Sequence, residues 1–146
     1  HFIPWDGYSN ALIAQAYGFS TLETTVEGSI VNYENLDNFQ TGIHDYFKFL
    51  KFGFGRATDI ACMHLRRGRI SRQDAIEMVQ MHDGKFPWTY LGKPLEDILE
   101  PLELTVDEFI TICDRYTNKK LFKVDINGKL IKDRYGNLTK INYDNY

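Results

Sequence analysis

TGIHDYFKFLKFGFGRATDIACMHLRRGRISRQDAIEMVQMHDG, residues 41–84, is the stretch that decides the fold. Ile43, Tyr46, Phe47, Leu50 and Phe54 recur at the spacing of one face of an α-helix, while His44, Lys48 and Lys51 share another. Phe49 and Phe52 widen the apolar coverage, which predicts a helix buried on most sides. Gly53 and Gly55 break it. A second helix starts near Arg56 or Thr58, with Asp59 in the first turn where an acid complements the helix dipole. It runs through Ile60, Ala61, Met63, His64 and Leu65 to a stop at Gly68. Ser71 opens a third helix in capping-box style, Ser-Arg-Gln-Asp, with Ala75, Ile76 and Val79 facing inward until Asp83-Gly84.

Upstream, Leu12, Ile13, Ala16 and Tyr17 predict a short helix ending at Gly18, and residues 19–40 read as a loop with one turn of helix. The apolar opening His1-Phe2-Ile3-Pro4-Trp5 reads as a segment that continues from something before it. Downstream, KFPWTYLGKP reads as a turn region. Leu95, Ile98, Leu99 and Leu102 form a short helix interrupted at Pro101, and Thr105-Val106-Asp107-Glu108 is a capping box before Phe109, Ile110, Ile112 and Cys113. LFKVDINGKLIKDRYGNLTKI alternates and carries turn signals at Asn127-Gly128 and Tyr135-Gly136-Asn137, so two or three short strands in a meander are expected. Its Asp-x-Asn-Gly is not a calcium loop, because the twelfth position from Asp125 is Gly136 and not a glutamate. The expected class is mainly α: a helical domain over 1–118 with five or six short helices, and a small β-hairpin or meander tail over 119–146.

The chain has 146 residues, 43% of them hydrophobic and 25% charged, with 10 Phe, 9 Tyr and 2 Trp, a composition that builds one modest core and argues against disorder. No apolar run is long enough for a membrane span, and the start lacks the basic and apolar regions of a signal peptide. Cys62 and Cys113 both fall in predicted helices and read as two reduced core thiols, in keeping with a cytoplasmic setting.

Net charge is −3, yet residues 46–72 hold seven of the 17 basic side chains and one of the 20 acidic ones. Such separation makes a local field that attracts anions. The candidate anion-binding set is Lys48, Lys51, Gly53, Gly55, Arg56, Asp59, Arg66, Arg69 and Arg72; Arg67 reads as solvated. In FGFGRATD, glycines lead into a helix N-terminus, whose free N–H groups suit phosphate or carboxylate, and Arg56 adds a charged fork. A tight interhelical turn accounts for the same glycines, and a solvated basic face for the same charges. Asp59 is placed to orient Arg56 or Arg66, or to accept from a sugar hydroxyl. Glu27, Asn32, Asp37 and His44 are secondary candidates, the first three on the long loop. Neither G-x-x-x-x-G-K-[ST], G-x-G-x-x-G nor G-x-S-x-G occurs, the four histidines are dispersed, and no catalytic residue or metal site is identified.

Taken together, Glu27-Gly28, Asn32-Tyr33, Leu36-Asp37, Tyr46, Lys51-Phe52-Gly53, Gly55-Arg56-Ala57-Thr58, Arg66, Gly68, Arg72 and Asp83-Gly84 resemble the C-terminal part of the N-acetyl sugar amidotransferases of bacterial surface-polysaccharide (lipopolysaccharide, O-antigen) biosynthesis. The resemblance runs from about Ile3-Pro4-Trp5 to the DRYTNKKLFK stretch, and departs from the family pattern at His64 and at Gln73-Asp74. It implies an ATP- and magnesium-dependent enzyme that transfers ammonia to a nucleotide-linked N-acetyl sugar. Separate glutaminase and synthase-like subunits supply the ammonia. The family's Ser-Gly-Gly-x-Asp-Ser loop does not occur in this chain, so the resemblance assigns it sugar-nucleotide or subunit contacts and no cofactor of its own. Two other classes fit the residues. One is a helical docking module for an acidic partner. The other is a nucleic-acid module built on the turn between LRRG and Ser71, against which the acidic remainder weighs.

Overall fold

The computed structural model describes residues 5–141. Among them are six α-helices: α1 (Gly7–Ala16), α2 (Thr41–Phe52), α3 (Arg56–Arg66), α4 (Arg72–His82), α5 (Leu95–Leu99) and α6 (Val106–Tyr116). One antiparallel hairpin joins β1 (Thr89–Tyr90) to β2 (Lys93–Pro94), with Thr89 opposite Pro94 and Tyr90 opposite Lys93. The class is mainly α with a small β-hairpin, as the residue patterns predict. The apolar opening from His1 to Pro4 and the end of the tail, 142–146, lie outside the described residues.

Both capping boxes close as their residue types require. Ser71 Oγ accepts from Asp74 N at 3.1 Å while Asp74 returns a carboxylate oxygen to Ser71 N at 3.2 Å. Thr105 and Glu108 do the same at the start of α6. Helix α2 ends at Phe52 because Gly53 takes the left-handed conformation, φ 76°. The chain therefore turns before Phe54, which leaves the predicted stripe; Phe54 and Phe52 are 40% and 61% exposed. Tyr46, Phe49 and Leu50 are buried, so α2 is covered on one side and not on most.

The core is aromatic. Phe49 meets Phe122 at 5.3 Å between ring centroids, and Phe86 lies edge-on to Tyr46 and Phe109 at 5.4 and 6.0 Å. Leu50, Leu95, Leu99 and Cys113 complete the cluster, with α2 and α5 both packed on α6. A smaller cluster of Val26, Tyr90 and Ile98 adjoins it through Ile43. Helices α3 and α4 pack on each other. Three apolar residues expected inward are not: Ile76 on α4, and Leu12 and Ile13 on α1, are 41%, 50% and 62% exposed. Each helix has a single small residue, Ala75 or Ala11, at its contact, so the neighbouring element covers too narrow a strip to reach them. Cys62 is exposed, not a core thiol, whereas Cys113 is buried.

The tail follows the predicted turns but does not form strands. Residues 121–125, 129–133 and 137–141 meet pairwise through single antiparallel bridges, Val124 with Leu130, Lys132 with Leu138, and Phe122 with Lys140. The three segments close on themselves: Ile131 N donates to Lys123 O, Lys123 N to Thr139 O, and Thr139 N to Ile131 O. Each segment must turn from one neighbour to the next, which leaves no room for a longer ladder. Phe122, Leu130 and Leu138, eight residues apart, point into the main core and bind the tail to the helices. The real hairpin lies in the stretch read as a turn region. Leu91 and Gly92 both have positive φ, 50° and 74°, the two-residue turn that suits the strand twist. Glu27 holds it in place by accepting from Leu91 N at 3.0 Å.

Gly84 ends the α4 region at φ 74°, and a β-carbon there would fall 2.2 Å from the Phe49 ring. Gly84→Ala is expected to destabilise the fold by roughly 1–3 kcal/mol, measured as a lowered midpoint in urea.

Candidate functional site

A cleft of about 300 Å³ lies where the loop over 25–28, the first turns of α2 and α3, and the segment from His82 to Tyr90 converge. Gly42 makes room for it: a β-carbon there would meet the Tyr90 ring at 2.5 Å, so only glycine lets β1 lie against α2. Burial pushes the Tyr90 phenol up to about 12, helped by the charge of Asp45.

The charged centre of the cleft is Arg56 on Asp45. Arg56 Nε and Nη2 donate to Asp45 Oδ2 and Oδ1 at 2.5 and 3.2 Å, and Asp45 is buried. Glu34 lies 3.6 Å from Arg56 Nη1, and the Asn35 carboxamide oxygen, assigned facing the guanidinium, accepts from Nε at 3.1 Å. Burial works against the Arg56 charge, but the hydrogen bond to Asp45 and the field of both acids outweigh it and raise its pKa.

The N-terminus of α3 already holds an anion, and the anion is Asp83. Its Oδ2 accepts from Gly55 N at 2.8 Å and from Thr58 Oγ1 at 2.5 Å, while Gly28 O takes Ala57 N at 3.2 Å. The other oxygen, Asp83 Oδ1, is buried without a hydrogen-bond partner. It packs where a β-carbon of Gly55 would sit, 2.7 Å away. The glycines of FGFGRATD thus admit a carboxylate of the protein itself, and the N–H groups of Gly55 and Ala57 are occupied from within the fold.

Of the predicted site residues, the cleft brings together Gly55, Arg56 and Glu27. Lys48 pairs with Asp59, and Lys51 lies 6.0 Å from the Tyr116 ring centre, both away from the cleft lining. Gly53 caps α2 against Leu121. Arg69 is ten residues beyond Asp59, past the far end of α3, and donates with Arg67 to Asp6, which also caps α1. Arg67, read as solvated, thus has an acid partner. Arg66 and Arg72 are exposed and form no ion pair among the described residues. The expected single grip is therefore divided between the two ends of α3. Asn32 bonds Leu22 O at 2.6 Å and lines a second cavity, Asp37 is exposed, and His44 is exposed with Nδ1 3.2 Å from Asp45.

Residue types alone did not single out Asp45, Glu34, Asn35, His82, Lys85 or the aromatic wall of Phe86, Trp88 and Tyr90. Asp45 left one signal, an acid inside an otherwise apolar and basic helix. Trp88 is 48% exposed, meets Phe86 at 4.6 Å with the rings tilted by 51°, and donates from Nε1 to Tyr135 O at 2.7 Å, so its indole is held in place at the rim. Lys85, also at the rim, forms no ion pair among the described residues. Among those residues no three His, Cys, Asp or Glu side chains converge as metal ligands would, and no helix is long and apolar enough to cross a membrane.

Removing one partner of the central pair leaves the other buried and unmatched. Arg56→Ala is expected to cost roughly 1–3 kcal/mol in urea unfolding, and Asp45→Leu with Arg56→Met together to cost less than Arg56→Ala. Two histidines give the fold a pH dependence. Burial, then Arg69 and Arg67 against Asp6 and Glu34, holds His64 below the ordinary imidazole range; burial with Lys85, against Asp83, does so for His82. The unfolded chain then binds more protons than the folded one, so stability falls as pH drops through the ordinary value of 6.5. The urea midpoint is expected to be lower at about pH 5.5 than at about pH 7.5, with His64→Gln narrowing the difference.

A family model described as "LPS biosynthesis protein WbpG-like, C-terminal domain" matches residues 27–134, which contain α2 to α6, most of the closed tail and all of the cleft lining but Thr25 and Val26. No curated protein matches the chain. The match covers well over half of the sequence and accords with the resemblance carried by its glycine and arginine words: the chain belongs to the WbpG-like C-terminal domain family of lipopolysaccharide biosynthesis.

Proposed function

We propose that this chain is the carbohydrate-recognising part of an ATP-dependent amidotransferase that transfers ammonia to a nucleotide-linked N-acetyl sugar in lipopolysaccharide biosynthesis. The observation that carries the reading is the cleft beside Trp88. A half-exposed indole forms its rim, Glu27 and Thr89 line it bonded to each other, and the charges of Arg56 and Asp45 are already paired. An aromatic face takes the C–H side of a pyranose ring while carboxylates and hydroxyls take its O–H and N–H groups. A bare anion finds less here, because Asp83 occupies the helix terminus and Asp45 the guanidinium. Lys85 at the rim is the cation left for a diphosphate.

In this reading, ATP and magnesium act in another part of the enzyme, and ammonia comes from glutaminase and synthase-like subunits in the cytoplasm. The chain contributes the acceptor sugar's seat. Exposed Phe52, Lys51, Arg66 and Arg72 offer a subunit contact, which is also what a docking module without chemistry of its own would use.

The chain contains two tryptophans, so Trp5→Phe leaves Trp88 as the sole reporter. Titration with a UDP-linked N-acetylglucosamine is expected to change Trp88 fluorescence saturably, and Trp88→Ala to weaken binding, followed by calorimetry, by about tenfold or more. An unchanged spectrum at millimolar ligand, or equal binding by Trp88→Ala, would leave docking as the better account.

A further inference from the structure

Two stretches of the chain carry opposite charge that the fold leaves unmatched. Residues 95–112 hold six of the 20 acids and no base: Glu96, Asp97, Glu100, Glu103, Asp107 and Glu108, all exposed. Residues 119–140 hold seven of the 17 basic side chains and two of the acids. Lys119, Lys123, Lys129, Arg134 and Lys140 are exposed there, and neither they nor the six acids form an ion pair among the described residues. The molecule thus presents an acidic surface along α5 and the first turn of α6, and a basic one on the tail.

Each surface also carries an apolar feature. Ile126 stands in the turn between Asp125 and Lys129 and is 100% exposed. That turn is braced: Asp125 Oδ1 accepts from Asn127 N and Lys129 N at 2.9 and 2.8 Å, and Lys119 Nζ donates to Gly128 O at 2.9 Å. An aliphatic side chain is therefore held out in water as a knob, with two lysines beside it. On α6 there is a shallow hollow of about 380 Å³. Half-buried Leu104 and Ile112 give it an apolar floor, and exposed Asp107 and Glu108 give it an acidic edge. Knob and hollow match in shape, in apolar character and in charge. The full exposure of Ile126 shows that it does not enter the hollow of its own chain. Both halves of the contact lie on this one chain, which singles out a second copy over an unrelated acidic protein or a lipid surface.

We propose that the chain self-associates head to tail, with Ile126 of one copy seated in the α6 hollow of the next and Lys119 and Lys129 against Asp107 and Glu108. Knob and hollow are different surfaces, so the contact is heterologous and builds rings or rows of copies, not a two-fold dimer. One knob with charges at its edge makes a small interface, of the weak and salt-sensitive kind. The Trp88 cleft shares no residue with the hollow or the turn, and the proposal stands whether or not that cleft takes a sugar.

The test is sedimentation equilibrium of the chain at up to about 1 mM, in low salt and in about 0.5 M sodium chloride, which screens exposed charges. The apparent mass is expected to rise above the monomer with concentration in low salt and to fall back in high salt. Ile126→Asp removes the knob and Thr111→Arg blocks the hollow; both sites are exposed, and an unchanged urea midpoint shows that each variant folds. Should either not fold, Lys129→Glu and Asp107→Lys take the two roles. Each variant alone is expected to associate more weakly by about tenfold or more. Their equimolar mixture is expected to form a dimer of one copy of each and nothing larger, because one intact knob then meets one intact hollow. Four results would each overturn the proposal. These are a monomer at every concentration, association undiminished in either folded variant, variants that stay monomeric when mixed, or Ile126-dependent binding to phosphatidylglycerol vesicles by a chain that remains monomeric.

Discussion

A guanidinium taken part of the way out of water needs acids around it, and Arg56 draws its neighbours from two places in the chain. Asp45 comes from α2, while Glu34 and Asn35 come from the long loop. That one requirement sets the first turn of α3 against α2, pins the loop over both, and shapes the inner wall of the cleft. Asp83 repeats the principle one turn away. The start of α3 carries N–H groups without a helical partner, and the acid that takes the first of them, Gly55 N, arrives 28 residues later, at the end of α4. The α3–α4 pair is thus closed at its cleft end by a carboxylate and at its far end by Asp6 on Arg67 and Arg69.

These pairings change the meaning of the basic stretch between Tyr46 and Arg72. Counted along the chain it is a strongly positive segment; in the fold four of its seven cations have acid partners, Arg56 with Asp45 and Glu34, Arg67 and Arg69 with Asp6, and Lys48 with the segment's own Asp59. The net effect is a protein whose cleft is polar and balanced. Such a cleft suits a ligand with hydrogen-bonding groups and a flat hydrophobic side better than a naked phosphate. Membership of the WbpG-like C-terminal domain family places the chain in lipopolysaccharide biosynthesis.

How much of this could be read beforehand depended on the range of the interactions. The helices were legible because their signals are local: the apolar spacing of α2, Gly53 at its end, and the capping boxes at Ser71 and Thr105. The tail's two turns were legible for the same reason, since Asp125 and Asp133 each bond the N–H groups two and four residues on. Its closure was not, because each segment is completed by two others and the eight-residue spacing of Phe122, Leu130 and Leu138 matches neither helix nor strand. The hairpin at Leu91-Gly92 was hidden by a leucine where asparagine is usual, held there by Glu27 from a distant loop. In the site, Arg56 and Gly55 were visible through charge and glycine. Asp83 and Trp88 act across long sequence separations that no local pattern marks, and Asp45 left only the trace of an acid in an apolar and basic helix.

The central claim is that the Arg56 guanidinium belongs to Asp45 and not to a ligand anion. The Nε–H proton of Arg56 reports this directly in a ¹H–¹⁵N spectrum. The account predicts a signal that exchanges with water more slowly than those of Arg66 and Arg72, is lost in Asp45→Asn, and stays in place when inorganic phosphate is added. An Arg56 signal that exchanges as fast as those exposed arginines, or that moves with phosphate, would contradict it.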